Sequence, residues 1–233
     1  MISFFIPIRK GSKRIKNKNF KPLPGYKFGL TEIKIKQLNK FKNLIKKNKK
    51  KFEFIVSTNC KKTINFLTPY NWIQTHIRSD EDASDDSLDR LIKIVPKICK
   101  GKYILWTHVT SPFFNERHYL RFIEEFFKKK LHKSAFSADK IQKFLYSEKK
   151  GWISHNAKIK KWPRTQDLES LYIANNAAFI THRNIYKLYR DRICKNPLPI
   201  VSDFGSSFDI DNYNDFYKLR DKLKKNYNVF KNF

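Results

Sequence analysis

The chain has 233 residues, 40% of them hydrophobic and 15% aromatic, enough to bury one core and to fold as a single domain over 1–233. Its formal net charge of +29 points first to nucleic acid or an anionic membrane surface. The lysines, however, are spread over nearly every expected helix, and no nucleic-acid-binding motif is present. Three cysteines, Cys60, Cys99 and Cys194, are odd in number and form no Cys-x-x-Cys pair, which argues against a disulfide framework and a thiolate zinc site and fits a reducing cytoplasm.

The first apolar run, Ile2 to Ile8, is the length of a buried strand. It is too short for a signal peptide and has no basic segment before it. No later run approaches the ~18 apolar residues of a membrane span, so a soluble, cytoplasmic protein without a membrane partner is expected. The strand empties into Arg9-Lys10-Gly11-Ser12-Lys13, running on to Lys18-Asn19. Gly11 lets backbone N–H groups turn inward as an anion nest, Ser12 adds a hydroxyl donor, and Arg9, Lys13 and Lys18 neutralise charge; a polyphosphate needs all three. Neither a Walker Gly-Lys-Ser/Thr nor a Gly-x-Gly-x-x-Gly is present. Composition alone also puts lysines after the first strand of a lysine-rich chain.

Further along, Leu30, Ile33, Leu38, Phe41 and Ile45 mark one face of a helix capped by Thr31, with the lysines opposite. Residues 52–57 and 72–77 read as strands. Leu88, Leu91, Ile92, Val95 and Ile98 follow at helical spacing, with Pro96 expected to bend or shorten that helix. Residues 103–106 are a strand, and Asn115 caps a helix whose apolar face carries Leu120, Ile123 and Phe127. This alternation predicts an α/β fold, Rossmann-like, with a mostly parallel sheet and helices on both faces. In such folds ligands gather at the carboxyl ends of the strands, where the first loop, Thr110-Ser111 and Asp209 are expected.

Residues 134–168 break the rhythm. Phe144-Leu145-Tyr146 and Trp152-Ile153 flank Glu148-Lys149-Lys150-Gly151, a β-hairpin with Gly in its turn. With Trp162 they form an aromatic group on a projection that one sheet does not easily cover. A last helix follows Lys218 and uses Leu219 and Leu223. Asp209 and Asp211 lie two apart; if 208–211 is extended, both carboxylates leave one face and form a pair of hard oxygen ligands suited to Mg²⁺. The same residues also read as a surface Asp-x-Asp that begins a helix, with Asn212 or Asn214 as cap. A strand at Ser206-Ser207-Phe208 and the loop at the other end of the chain favour the metal reading.

Taken in order, these islands resemble one family. Arg9, Gly11, Ser12, Lys13, Lys18, Asn19 and Pro22-Leu23-Pro24-Gly25 are followed by Arg78 with Ala83-Ser84-Asp85. Thr110-Ser111-Pro112, Asn176-Ala177-Ala178-Phe179 and Asp209-Ile210-Asp211 complete the set. From residue 2 to about 217 the sequence is similar to the CMP-sialic acid synthetases, or acylneuraminate cytidylyltransferases. The resemblance implies transfer of CMP from CTP to the anomeric hydroxyl of a nonulosonic acid (sialic, legionaminic or pseudaminic), releasing pyrophosphate. It gives the catalytic and phosphate contacts to Arg9, Lys13 and Lys18 within a nucleotide loop that includes Gly11 and Ser12. It gives the cytosine to Asn19, Arg78 and Ser84, and Mg²⁺ to Asp209 and Asp211. Sugar contacts fall to His108, Thr110, Ser111, Tyr172, Asn176 and Phe179. Arg164 and Gln166 would reach substrate from the projecting segment 134–168, across a homodimer.

The chain departs from the family at His108-Val109, where Gln-Pro is usual, and at Phe114 for Arg, Ala177 for Gly and Arg14 for Gly. The nucleotide half is intact and the sugar is left open. His108 reads as a donor or base toward a sugar hydroxyl, or as a strand-end histidine satisfied by backbone; Asn19 reads equally as a loop cap. The nearest alternative is a CMP-Kdo synthetase, whose pattern has Lys-Pro at Lys18-Asn19. A different class is a non-enzymatic basic protein that binds nucleotide or RNA.

Overall fold

The computed structural model describes residues 1–46, 50–83 and 88–231, with side chains to 225. In chain order the elements are β1 (Ile2–Ile8), α1 (Gly29–Leu44), β2 (Phe52–Thr58), α2 (Lys61–Leu67), β3 (Ile73–Ile77), α3 (Leu88–Ile98), β4 (Tyr103–Thr107) and α4 (Glu116–Lys128). They continue as β5 (Ser134–Ile141), β6 (Tyr146–Ser147), β7 (Gly151–Trp152), β8 (Leu171–His182), α5 (Arg183–Tyr189), β9 (Leu198–Val201) and α6 (Tyr213–Lys231). Among the described residues the main sheet has seven strands in the order β3-β2-β1-β4-β8-β5-β9. β1 runs parallel to β2 and β4, and β3 continues that half. β8 is antiparallel between β4 and β5, and β9 is parallel to β5 at the far edge. The predicted α/β class, mostly parallel with helices on both faces, is the class observed.

A central strand with helices above and below must be apolar on both sides, and β1 is. On one face Phe4, Ile6, Phe54 and Leu105 meet Leu30, Leu38 and Phe41 of α1 and Tyr119 and Phe122 of α4. The Phe4 and Phe41 rings lie 5.0 Å apart. On the other face Phe5, Ile55 and Trp106 meet Leu91, Ile92 and Val95 of α3 and Tyr186 of α5. Each such large side chain taken out of water contributes about 1.5–3 kcal/mol. α3 keeps Pro96 inside its last turn. No described helix is long and apolar enough to cross a membrane.

Several local expectations need correction. Thr31 is not the cap of α1: the helix starts two residues earlier, after Phe28, and the Thr31 hydroxyl donates to the Asn19 carbonyl at 2.8 Å. The lysines are not all on the outer face of α1, because Lys34 is fully buried. In α4 the fully buried face is Tyr119, Phe122, Ile123 and Phe126, with Leu120 and Phe127 only partly covered. Asn115 does cap α4, accepting from the backbone N–H of Arg117 at 3.1 Å, while the His118 ring accepts from Asn115 N–H at 3.1 Å. Residues 134–141 belong to the sheet as β5, so the projection begins after them. No strand forms at 206–208; a turn there leads directly to Asp209. α6 begins at Tyr213, not after Lys218, and Asn212 caps it by accepting Asp215 N–H at 3.1 Å.

Two glycines on the way into α1 carry left-handed backbone for different reasons. Gly29 has φ +55, and an added Cβ would collide with the Lys21 carbonyl oxygen. Gly11 has φ +88 in open space. Gly29→Ala is therefore expected to lower the unfolding free energy by about 2–4 kcal/mol, from steric overlap added to the backbone cost. Gly11→Ala is expected to cost only about 1 kcal/mol. Urea unfolding of the two variants measures the difference, and equal losses would contradict it.

Candidate functional site

The carboxyl ends of β1 and β4 open into a cleft of about 450 Å³. From the first loop it is lined by Arg9, Ser12, Lys13, Arg14, Lys18 and Asn19, from the end of β3 by Arg78, and from the end of β4 by His108, Val109 and Thr110. Asp211 closes it from the far end of the sequence. The loop holds its shape because Ile15 is fully buried beneath it. The turn that follows is closed by Lys18 N–H to Ile15 O at 3.1 Å and Phe20 N–H to Asn17 O at 2.9 Å.

Lys18 joins the two ends of the chain. Its ammonium donates to the Ile210 carbonyl at 2.6 Å and lies 3.9 Å from the Asp211 carboxylate. Burial draws the Lys18 pKa below the usual lysine range, against the opposing charges of Asp211 and Asp209. Burial likewise raises the Asp209 carboxyl, which receives a hydrogen bond from the Thr110 side chain and feels the like charge of Asp211. Ile210 between them is fully buried and its N–H donates to the Thr110 carbonyl at 2.9 Å, so the 209–211 segment is tied to the end of β4. Asp211 thus lines the cleft while Asp209 does not, and the helix cap at Asn212 follows immediately. Arg14, the residue standing where the resemblance has Gly, lies 3.3 Å from Asp211.

At the other end of the cleft, Asn19 is buried and donates its amide to the Arg9 carbonyl at 3.1 Å. That is the loop-cap role, and the same side chain also lines the cleft. Arg9 donates to the Ala83 carbonyl at 3.4 Å. Arg78 is buried, and its Nε and Nη2 have no hydrogen-bond partner in the described structure. Burial first, then the neighbouring charge of Arg9, lowers its pKa to about 10. Ser84 lies outside the described residues.

The remaining sequence candidates are dispersed. Gly11 shapes the loop and does not line the cleft. Ser111 is fully buried, with its carbonyl turned to α1. Phe179 is buried in the sheet. Tyr172 is exposed on β8, and Asn176, also exposed, takes left-handed backbone with φ 58 near the register shift between β5 and β8. Arg164 is exposed and paired with Asp167 at 2.9 Å, and the Gln166 carbonyl accepts from Gln142 at 2.9 Å. None of these lines the cleft within one chain.

A sequence profile described as cytidylyltransferase matches residues 3–226. The chain belongs to the cytidylyltransferase family. No characterised protein sequence matches it significantly. Solved structures do. A CMP:2-keto-3-deoxy-manno-octonic acid synthetase complexed with CTP is 11% identical, with TM-score 0.62 over 97% of this chain and 99% of that one. The 4-diphosphocytidyl-2C-methyl-D-erythritol synthase of Anaerococcus prevotii is 15% identical, with TM-score 0.65 over 96% and 98%. At these identities the likeness is one of fold.

Within this cytidylyltransferase, sequence reasoning missed two cations, and the first is Lys34. Leu30, Lys34 and Leu38 recur every four residues on α1, so the helical period places Lys34 on the apolar stripe. Its ammonium donates to the carbonyls of Ser111 and Phe114, both at 3.0 Å, and to the Tyr119 hydroxyl at 2.8 Å. Tyr119 meets Thr107 at 2.6 Å, and Thr107 donates to the Ala177 carbonyl at 2.7 Å. The charged form supplies a donor to each of the three acceptors, while burial pulls the Lys34 pKa down to about 7. The second missed cation, Arg192, lies between α5 and β9 in a stretch without periodicity.

Lys34→Met leaves two buried carbonyls and a hydroxyl without their donor, and is expected to cost about 2–4 kcal/mol at pH 8. The unfolded lysine titrates near ~10.4, above the folded value, so between about pH 7 and 10 the unfolded chain holds more protons. The Lys34 contribution to stability therefore rises with pH across that window. The advantage of wild type over Lys34→Met should widen from pH 6 to pH 9 in urea titrations; a gap that narrows would contradict the assignment.

Proposed function

We propose that this cytidylyltransferase transfers CMP from CTP to the anomeric hydroxyl of a nonulosonic acid, of sialic, legionaminic or pseudaminic type. The observation that carries the reading is Arg78, a buried cation with two unsatisfied N–H donors on a cleft wall that it shares with Asn19. Cytosine offers the complement: acceptors at O2 and N3 and a donor amino group at N4. Arg9, Lys13 and Lys18 line the adjoining stretch, where a triphosphate would lie.

In the transfer, the anomeric oxygen forms a bond to the α-phosphorus and the bond from that phosphorus to the bridging oxygen breaks, releasing pyrophosphate. Such a reaction is mostly positioning and charge neutralisation. Lys18, held against Ile210, would receive charge at the α-phosphate. Lys13 and Arg9 serve the departing pyrophosphate. Asp209 and Asp211 are the residues that would hold Mg²⁺. A desolvated carboxylate with a raised pKa, next to a second carboxylate, is relieved by a divalent cation. Among the described residues no three His, Cys, Asp or Glu cluster, so the pair would share the ion with substrate oxygens. The ion would add charge neutralisation at the reacting phosphate. Cation binding also competes with the Arg14 contact to Asp211.

Purified protein with Mg²⁺, each nucleoside triphosphate and a panel of sugar acids, assayed for pyrophosphate, tests the reading. CTP should exceed ATP and GTP by at least about 100-fold, because a wrong base leaves buried groups unpaired. Turnover with Kdo or 2C-methyl-D-erythritol 4-phosphate but with no nonulosonic acid would overturn the sugar assignment and leave the cytidylyl transfer. Asp211→Ala should lower kcat/KM by about two orders of magnitude without changing the thermal melt, and chelation should abolish turnover until Mg²⁺ is restored. Near-wild-type rates for Asp209→Ala and Asp211→Ala would remove the metal assignment.

The projecting segment supports a homodimer. Phe144, Trp152 and Trp162 pack with ring centroids 5.4–6.0 Å apart, and Tyr146 joins Trp152 at 5.2 Å. Yet Tyr146 remains 63% and Trp162 66% exposed, an aromatic surface suited to a second copy. Light scattering at micromolar concentration should give a dimer, and Tyr146→Glu with Trp162→Glu should shift it to monomer. Monomeric wild type would decide against this assembly.

A further inference from the structure

His108 stands just past β4 with its ring on the cleft wall. Its Nε2 faces two donors, the Trp106 indole N–H at 3.0 Å and the Arg192 guanidinium at 3.3 Å. A ring nitrogen that meets two N–H groups carries a lone pair, so the single proton of the imidazole sits on Nδ1. Arg192 is itself fixed. Its guanidinium carbon lies 3.7 Å from the centre of the Phe179 ring and 5.4 Å from the Trp106 ring, stacked on the sheet surface. The neighbouring Asp191 carboxylate accepts the backbone N–H of Arg192 at 2.6 Å. Burial lowers the Arg192 pKa, against the pull of Tyr186 and Asp191. Burial, followed by the charges of Arg192, Lys34 and Lys18, lowers the His108 pKa to about 3, so the ring is neutral at working pH.

We propose that Arg192 is a positioning residue that, with the Trp106 indole, locks His108 as an Nδ1-protonated neutral imidazole and so gives the sugar end of the cleft a fixed N–H donor. The sugar part of this inference rests on the proposed transfer to a sugar acid; the locking of the ring does not. With its one lone pair engaged by Trp106 and Arg192, His108 is a donor and not a base, which separates the two roles its residue type allows. The Arg192 guanidinium behind the ring favours an anionic oxygen as the group received, which makes the carboxylate of the sugar acid the preferred acceptor.

The experiment is ¹⁵N NMR of the histidine rings in wild type, Arg192→Met and Arg192→Lys, together with kinetics using N-acetylneuraminate and Kdo as probes. Wild type should show the Nδ1–H tautomer at His108 with no titration between pH 5 and 8. Arg192→Met should raise the His108 pKa by about one unit or more as the nearest cation is lost. Its KM for the sugar acid that is turned over should rise about tenfold, with KM for CTP within about twofold, as expected for one misplaced hydrogen bond. His108→Gln should change the sugar KM similarly, and adding Arg192→Met to it should cost nothing more, because Arg192 acts through the ring. Should Arg192→Met not fold, Arg192→Lys, which keeps the charge and loses the planar fork, carries the same tautomer and KM measurements. An Nε2–H tautomer in wild type, or additive losses in the double variant, would overturn the proposal. If the tautomer and pKa behave as stated while neither sugar acid is turned over, the locking of the ring stands and the sugar-acid reading falls.

Discussion

The cleft depends on one ammonium group placed in an apolar layer. Lys34 reaches from the middle of α1 to the loop after β4 and to Tyr119 of α4, and through Tyr119 and Thr107 its hydrogen-bond chain runs on to Ala177 of β8. Hydrogen bonds from a charged donor contribute roughly 1.5–3 kcal/mol each, and the carbonyls they satisfy would otherwise be buried without partners. Gln37, one turn further along α1, adds a bond to the Pro112 carbonyl at 2.6 Å. The helix that follows the first loop is thus bonded directly to the loop that carries His108 and Thr110. The two sides of the cleft cannot move apart independently.

A second regularity concerns how the cleft's cations are held. Lys18 donates to a backbone carbonyl, Arg9 to another, Lys34 to two more, and Arg192 to an imidazole. Neutral acceptors fix the position of a cation without cancelling its charge. Asp211 offsets part of the charge, lying 3.9 Å from Lys18 and 3.3 Å from Arg14. The Arg14 contact is an exposed pair of the kind worth little by itself. The surplus charge of the rest of the chain is a separate matter, since most of those lysines lie on exposed helix faces far more screened by salt than the cleft.

How much of this was legible in the sequence follows from how local each signal is. The parallel half of the sheet was, because β1, β2, β4 and the helices between them each carry their period within a dozen residues. β8 was not. Its first residues, Tyr172 to Ala174, are exposed beyond the body of the sheet while Ala177 to Thr181 are buried within it, so no single period runs through it. The loop from Arg9 to Asn19 was legible because its chemistry is contiguous, and the resemblance supplied Arg78 and Asp211 as distant partners. Lys34 was present in the pattern but hidden by residue type: its spacing is that of a core position and its side chain is that of a surface one. Arg192 had no local signal at all, since only the tertiary fold brings it over Phe179 and against His108.

The bond between Lys18 and Ile210 spans 192 positions. During synthesis the first loop and the whole parallel half emerge well before the segment that completes them. Until residue 210 is available, Lys18 has neither its carbonyl acceptor nor the nearby carboxylates of Asp209 and Asp211. A nascent chain released early would own most of the sheet and the cation-rich loop, yet lack the segment that holds Lys18. The assembled cleft therefore depends on a contact of long sequence separation, the kind whose loop-closure entropy slows folding.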